Sequence, residues 1–221
     1  MTLFISKSPF RISLIGGGSD YEHWFSHRIG QSITIAINQG CVVSYNENPL
    51  NDFNYTFAYS TFEQCNDSDD IKHPLLRAFV KHYGVKRLEM HYDASLTKGT
   101  GLGTSSAFSN ALVAAHYKSL SSESCKVQTA VESVNLERNI MQEYGGVQDQ
   151  YATAIGGVNL NTFYPTHVSA TRFILSNDCK SILNSNMTLI VSKRSPDKVK
   201  HEASLKSLED DDTLACLLYT S

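Results

Sequence analysis

The chain has 221 residues and a net charge of −3, with an isoelectric point near 6.2, which argues against broad electrostatic binding to nucleic acid or to an anionic membrane. That length can bury a substantial core in one large or two modest domains. Its eight histidines show no metal-binding spacing, and its five cysteines (Cys41, Cys65, Cys125, Cys179 and Cys216) are odd in number and contain no CxxC pair, so reduced thiols are expected rather than a disulfide framework or zinc site. No apolar run approaches membrane-spanning length and the N-terminus lacks a signal-peptide core, so the bounds favour a soluble cytoplasmic enzyme without a membrane partner.

Phe10, Ile12 and Leu14 alternate with Arg11 and Ser13, which predicts a half-buried strand over 9–15. It ends at Gly16-Gly17-Gly18-Ser19-Asp20, a turn that brings backbone close to a ligand. Ser32–Ile37 and Cys41–Tyr45 read as a β pair, and Phe53–Tyr59 as a third strand. Pro74 to Tyr83 reads as a helix with Leu75, Leu76, Phe79 and Val80 on one face and Gly84 as its stop. A strand near 88–93 follows, then a glycine-rich loop, then a helix from about Ser105 to Leu120. A second long helix is expected from about Glu123 to Tyr144, ending at Gly145-Gly146, and a short one from Asp149 to Ile155. Strands over Val158–Phe163, Thr171–Leu175 and Met187–Ser192 precede a polar helix near Pro196. Without a regular βαβα alternation, the expected class is α+β.

Three features carry candidate chemistry. In Lys98-Gly-Thr-Gly-Leu-Gly-Thr-Ser-Ser-Ala107, alternate glycines (Gly99, Gly101, Gly103) precede the hydroxyls of Thr104, Ser105 and Ser106 at a helix start. Such a start favours an anion, most often a phosphate. The loop fits neither GxxxxGK[ST] nor GxGxxG, which disfavours a nicotinamide-dependent oxidoreductase. Glu137 falls inside the apolar stripe of Ala130, Val134, Met141 and Tyr144, where a carboxylate must be paired, protonated or bound to a cation. An arginine partner and Mg²⁺ explain it equally well. Asp149 stands where the short helix begins, as an N-cap or as an acceptor that orients or deprotonates a hydroxyl. Arg11 reads either as a surface residue or as a balance for phosphate charge. Tyr21 and Trp24 most simply pack a loop, with stacking on a sugar ring the minority reading.

Together these segments resemble the GHMP kinases. Pro9-Phe-Arg-Ile-Ser-Leu-Ile-Gly-Gly-Gly-Ser-Asp20 is similar to the N-terminal motif of the sugar-directed members, and Gly99 to Ala107 to the family's phosphate loop. Leu136-Glu-Arg138 with Gly146-Val-Gln-Asp-Gln-Tyr151 and Gly156-Gly157 is similar to the stretch bearing the metal ligand and catalytic aspartate. The likeness spans roughly 4 to 200, and three motifs in order are far more specific than one.

The resemblance implies an α+β GHMP kinase fold, with an N-terminal ATP-binding domain over 1–180 and the start of a largely absent C-terminal domain over 181–221. It implies an ATP-dependent kinase acting on a sugar or sugar phosphate, D-glycero-D-manno-heptose 7-phosphate first. Fucose or galactose types and a non-catalytic sugar sensor are the alternatives, and a homodimer is compatible with the sequence. The cofactor set would be ATP and Mg²⁺. Gly101, Leu102, Gly103, Thr104 and Ser105 would cradle phosphates, with Gly99 and Lys98 beside them, and Ser106 and Glu137 would hold Mg²⁺. Asp149 would act on the attacking hydroxyl with Arg11 close by, and Asp20 would grip a sugar hydroxyl alongside Gly18 and Ser19. Thr97-Lys98 stands where relatives usually have proline. Lys193 and Arg194 read equally as a solvated turn or as a pocket for a substrate phosphate. The tail Cys216–Ser221 follows an acidic run and matches nothing in the family, and a truncated or artefactual end is expected.

Overall fold

A computed structural model of the chain describes residues 2–47, 50–96, 99–122 and 125–188. Strand β1 (Phe4–Ile15) pairs antiparallel with the 17-residue β2 (Gly30–Asn46). The first half of β2 pairs with β6 (Val158–Phe163) and its second half with β5 (Leu88–Ala94), both antiparallel. β3 (Tyr55–Ala58) lies parallel to β5 and antiparallel to β4 (Phe62–Cys65), while β7 (Val168–Phe173) closes the other end beside β6. The order is β4-β3-β5-β2-β6-β7 with β1 on β2. A mostly antiparallel sheet with helices packed on it is the α+β class expected.

Ser32–Ile37 and Cys41–Tyr45 do not pair with each other as the sequence suggested. They are two halves of β2, both paired with β1. Pro9 faces Gly40 and Arg11 faces Ala36, so Ile37–Gln39 stands opposite Phe10 alone and the second strand carries extra length, a bulge. Gly40 is not among the glycines with positive φ that a two-residue hairpin turn would need. Its missing side chain instead lets the Ser8 carbonyl approach.

Helix α1 (Glu22–Phe25) follows the first glycine turn, and α2 (Pro74–Tyr83) has the predicted limits. Pro74 starts it, Gly84 ends it at φ 63° with its N–H on the Val80 carbonyl, and Leu75, Leu76, Phe79 and Val80 are buried. Phe79 is fully buried, with ring centroids 4.9 Å from Tyr83 and 5.3 Å from His116. Phe79→Ala should therefore cost roughly 3–5 kcal/mol in denaturant unfolding, the range for emptying an aromatic core site; a loss under about 1 kcal/mol would contradict this packing. Cys41, Cys65, Cys125 and Cys179 are free thiols.

Helix α3 (Thr104–Ser119) crosses the sheet at the centre of the molecule, with Ala107, Ala111 and Leu112 buried on its apolar sides and Ser106, Ser109 and Asn110 also enclosed. The long helix expected over 123–144 is shorter. α4 (Lys126–Val134) passes into a π-helical turn over Asn135–Ile140, and the chain is non-helical from Met141 to Val147. The stripe through Met141 and Tyr144 mimicked a continuing helix. The wider turn buries Leu136 and Glu137 together, and such π-turns concentrate at functional sites. Helix α5 (Gln148–Ile155) follows. Helix α6 (Asn177–Asn186) and strand β4 had no clear sequence signal. Expectations from residue 189 onward, with Lys193, Arg194, the helix near Pro196 and the Cys216–Ser221 tail, lie outside the described residues, as do Thr97 and Lys98.

Candidate active site

Gly99, Gly101 and Gly103 adopt φ of 87°, 76° and 69°. Left-handed backbone at alternate positions turns successive N–H groups toward one side, an arrangement that suits an anion. Gly103 is also the N-cap of α3 and supplies no side chain to cover the first-turn amides, which are left for a ligand. Leu102 is buried and anchors the loop, while Ser105 is exposed on the first turn.

Arg11 crosses from β1 to this loop. Its backbone N–H donates to the Leu102 carbonyl at 3.0 Å. Its Nη1 donates to the Gly101 carbonyl at 2.7 Å, while Nε and Nη2 both donate to Asp149 Oδ1 at 2.8 and 2.5 Å. A planar guanidinium is suited to such a fork. Arg11 is only 8% exposed, so the surface reading does not hold. Asp149 is not an N-cap either: Val147 occupies that position, and Asp149 sits in the first turn of α5 with its carboxylate on Arg11.

Glu137 lies 2% exposed beside the start of α3. Its Oε2 accepts from the Ser106 hydroxyl at 3.3 Å and from Gln150 Nε2 at 2.7 Å, and Arg138 Nη2 stands 3.8 Å away. Oε1 is buried without a hydrogen-bond partner. Burial pushes the carboxyl up to about 7, against the opposing pull of the Arg138 charge and the Gln150 amide. An orphaned buried carboxylate oxygen next to a hydroxyl is what a hard divalent cation accepts, so Ser106 and Glu137 fit the metal pair that the resemblance implies.

Asp20 is 2% exposed, and its two oxygens accept the backbone N–H groups of Gly18 and Gln148, each at 3.0 Å. Burial raises its pKa; the Gln148 amide opposes this and the Asp149 charge adds to it. The carboxylate rests against Gly146, where any side chain would overlap it. Gly146→Ala should therefore push the first glycine turn off α5. We expect a fall in melting temperature together with weakened ligand binding, whereas an unchanged melt would show that the two segments separate freely. The Ser19 hydroxyl bridges the Gly16 and Gln31 carbonyls and accepts the Gln31 N–H, fixing the turn to β2.

Sequence reasoning passed over the residues that hold these groups in place. Asn110 Nδ2 donates to the Gln150 carbonyl and to Thr153 Oγ1, both at 2.8 Å, and Thr153 Oγ1 donates to the Asp149 carbonyl at 2.7 Å. Gln150, fully buried, links α5 to Glu137. Ser13 Oγ donates to Gln148 Oε1 at 3.0 Å. Asn110 had one visible signal, an amide inside the apolar run Ala107–Leu112.

Residues 71–157 match the family model for the GHMP kinases N terminal domain. The chain is 28% identical over 170 residues to the D-glycero-alpha-D-manno-heptose 7-phosphate kinase of Campylobacter jejuni, an alignment covering 72% of this chain and 50% of that protein. It thus spans about half the length of this curated relative. Its fold is similar to the crystal structure of a D-glycero-D-manno-heptose 1-phosphate kinase from Bacteroides thetaiotaomicron, with a TM-score of 0.71 and 24% identity, covering 83% of this chain and 62% of that one. Lactococcus lactis galactokinase complexed with galactose gives a TM-score of 0.61 at 12% identity, covering 96% of this chain and 64% of that one.

Proposed function

We propose that the chain belongs to an ATP-dependent sugar kinase that moves the γ-phosphoryl group to a hydroxyl of a sugar or sugar phosphate, with D-glycero-D-manno-heptose 7-phosphate the first candidate. One observation carries the reading: Arg11 ties the phosphate loop at Gly101 to the Asp149 carboxylate, so a phosphate-binding element and a proton acceptor share one cation. The heptose preference rests on the matched relative and is the finer part of the proposal.

Gly99 to Ser105 and the free amides at the start of α3 would take the β- and γ-phosphates, with Lys98 adjacent. Asp149 spends Oδ1 on Arg11, leaving Oδ2 to accept the proton of the attacking hydroxyl. As that proton leaves, the oxygen–phosphorus bond forms, the bridge to the β-phosphate breaks, and ADP departs. Arg11 balances charge during transfer, so positioning and electrostatics do most of the catalysis. Ser106 and Glu137 would hold Mg²⁺, which when bound neutralises phosphate charge. Two of the roughly four lone-pair sites of the Asp20 carboxylate are taken by amides, and the others remain for a sugar hydroxyl; Gly18 and Ser19 form the turn beside it.

Among the described residues no helix is long and apolar enough to cross a membrane. The chemistry calls for small-molecule partners only. The test is ADP release by the chain with ATP, Mg²⁺ and each of heptose 7-phosphate, fucose and galactose. Stimulation by one of these sugars is expected, and no stimulation by any of them would sink the proposal.

A further inference from the structure

We propose that the cleft between α1 and residues 138–145 is part of the acceptor site and holds the uncharged polyhydroxylated body of the sugar, away from the hydroxyl that is phosphorylated. This rests on the sugar-kinase reading and extends its site beyond the residues that the motifs mark.

The cleft encloses about 700 Å³, ample for a small-molecule ligand. Tyr21 and His23 form one wall, while Arg138, Gln142 and Tyr144 belong to the other. The Tyr21 and Tyr144 rings pack on each other at 5.4 Å, tilted by 49°, and form an aromatic patch in the lining that suits the C–H surfaces of a sugar. The Asn139 and Gln142 side chains add amides that both donate and accept. Arg138 has five N–H donors. Three go to the Gly146 and Glu143 carbonyls, and two remain for a ligand or for Glu137 at 3.8 Å.

Charge selects the occupant. Arg138 is outweighed by Glu22 and Glu143 in the same lining, so the cleft has no net attraction for a phosphate. A ligand rich in hydroxyls satisfies carboxylates, amides and guanidinium alike. Position ties the cleft to the chemistry. Gly145 lines it, Gly146 touches Asp20, and Asp149 follows four residues after Gly145, a reach of at most about 14 Å. Gln142 is held at φ 55°, an uncommon conformation whose strain must be supported by its surroundings.

Saturation-transfer NMR tests this with galactose, fucose and heptose 7-phosphate as probes, and a non-hydrolysable ATP analogue as control. The chain is compared with Tyr144→Ala and with Gln142→Gly, which removes an amide while relieving the positive φ. At least one sugar should bind the parent chain, and both variants should bind it roughly tenfold more weakly with affinity for the analogue unchanged. If Tyr144→Ala fails to fold, Gln142→Gly decides. Equal sugar affinity in folded variants, with sugar-stimulated ADP release intact in the parent, overturns the cleft alone. No binding of any of the three sugars to the parent overturns both the cleft and the sugar-kinase reading.

Discussion

Asp149→Asn is expected to remove phosphoryl transfer while leaving nucleotide binding nearly intact. The amide keeps an oxygen for Arg11 Nε and Nη2, which now bond Oδ1 at 2.8 and 2.5 Å, so the fork and its hold on the Gly101 carbonyl survive. What disappears is the carboxylate proposed to accept the proton, and losses for such groups run to about 10²–10⁴-fold. The drop should appear in kcat, with the affinity for an ATP analogue and the melting temperature close to those of the parent. A collapse of nucleotide binding would instead show that the ion pair exists to shape the phosphate loop. If the parent binds both ATP and sugar yet transfers nothing, the chain is a sensor.

Glu137→Gln should have the second-largest effect, and it separates two readings that the sequence left equal. As a metal ligand, the residue loses the charge that the cation needs, and turnover should fall about 10²-fold or more with weaker apparent Mg²⁺ affinity. Stability adds an independent signature. Folding raises the Glu137 carboxyl from 4.5 to about 7, so across that window the native state holds a proton that the unfolded chain has released. Stability without a divalent cation therefore falls as pH rises from about 4.5 to 7, by on the order of 3 kcal/mol. Asp20, also raised by burial, acts in the same direction. His116, lowered by burial, acts in the opposite one, so the difference between parent and variant is the quantity to read. Glu137→Gln should erase its share and melt no lower than the parent near pH 8. A large fall in melting temperature with unchanged Mg²⁺ dependence would mean that the residue is simply the partner of Arg138.

The legible parts of the fold were those whose signals are local. Pro74, the spacing of Leu75, Leu76, Phe79 and Val80, and Gly84 delimit α2 without help from the rest of the chain. The alternate glycines before Thr104 likewise marked a backbone need that φ values of 69–87° now bear out. Tertiary features were not legible. Arg11 and Asp149 stand 138 residues apart; nothing in either neighbourhood names the other, and their meeting was expected only from the family resemblance. The apolar stripe continued past Ile140 although the helical turns did not, because Arg138 gathers the Gly146 and Glu143 carbonyls into a non-helical loop. Similarly, Ser32–Ile37 and Cys41–Tyr45 read as a pair, but they are one strand, and Gly40 between them admits a close approach by Ser8. The buried position of Glu137 was correctly read from the stripe, and its orphaned Oε1 came only with the coordinates.

The central claim is that these residues transfer a phosphoryl group to a sugar, and ³¹P NMR of the chain with ATP, Mg²⁺ and heptose 7-phosphate tests it most directly. The account predicts a new sugar-phosphate resonance growing in step with ADP, absent with Asp149→Asn and recovered with the parent chain. Growth of inorganic phosphate alone, or the same new resonance from Asp149→Asn at the parent's rate, would contradict it.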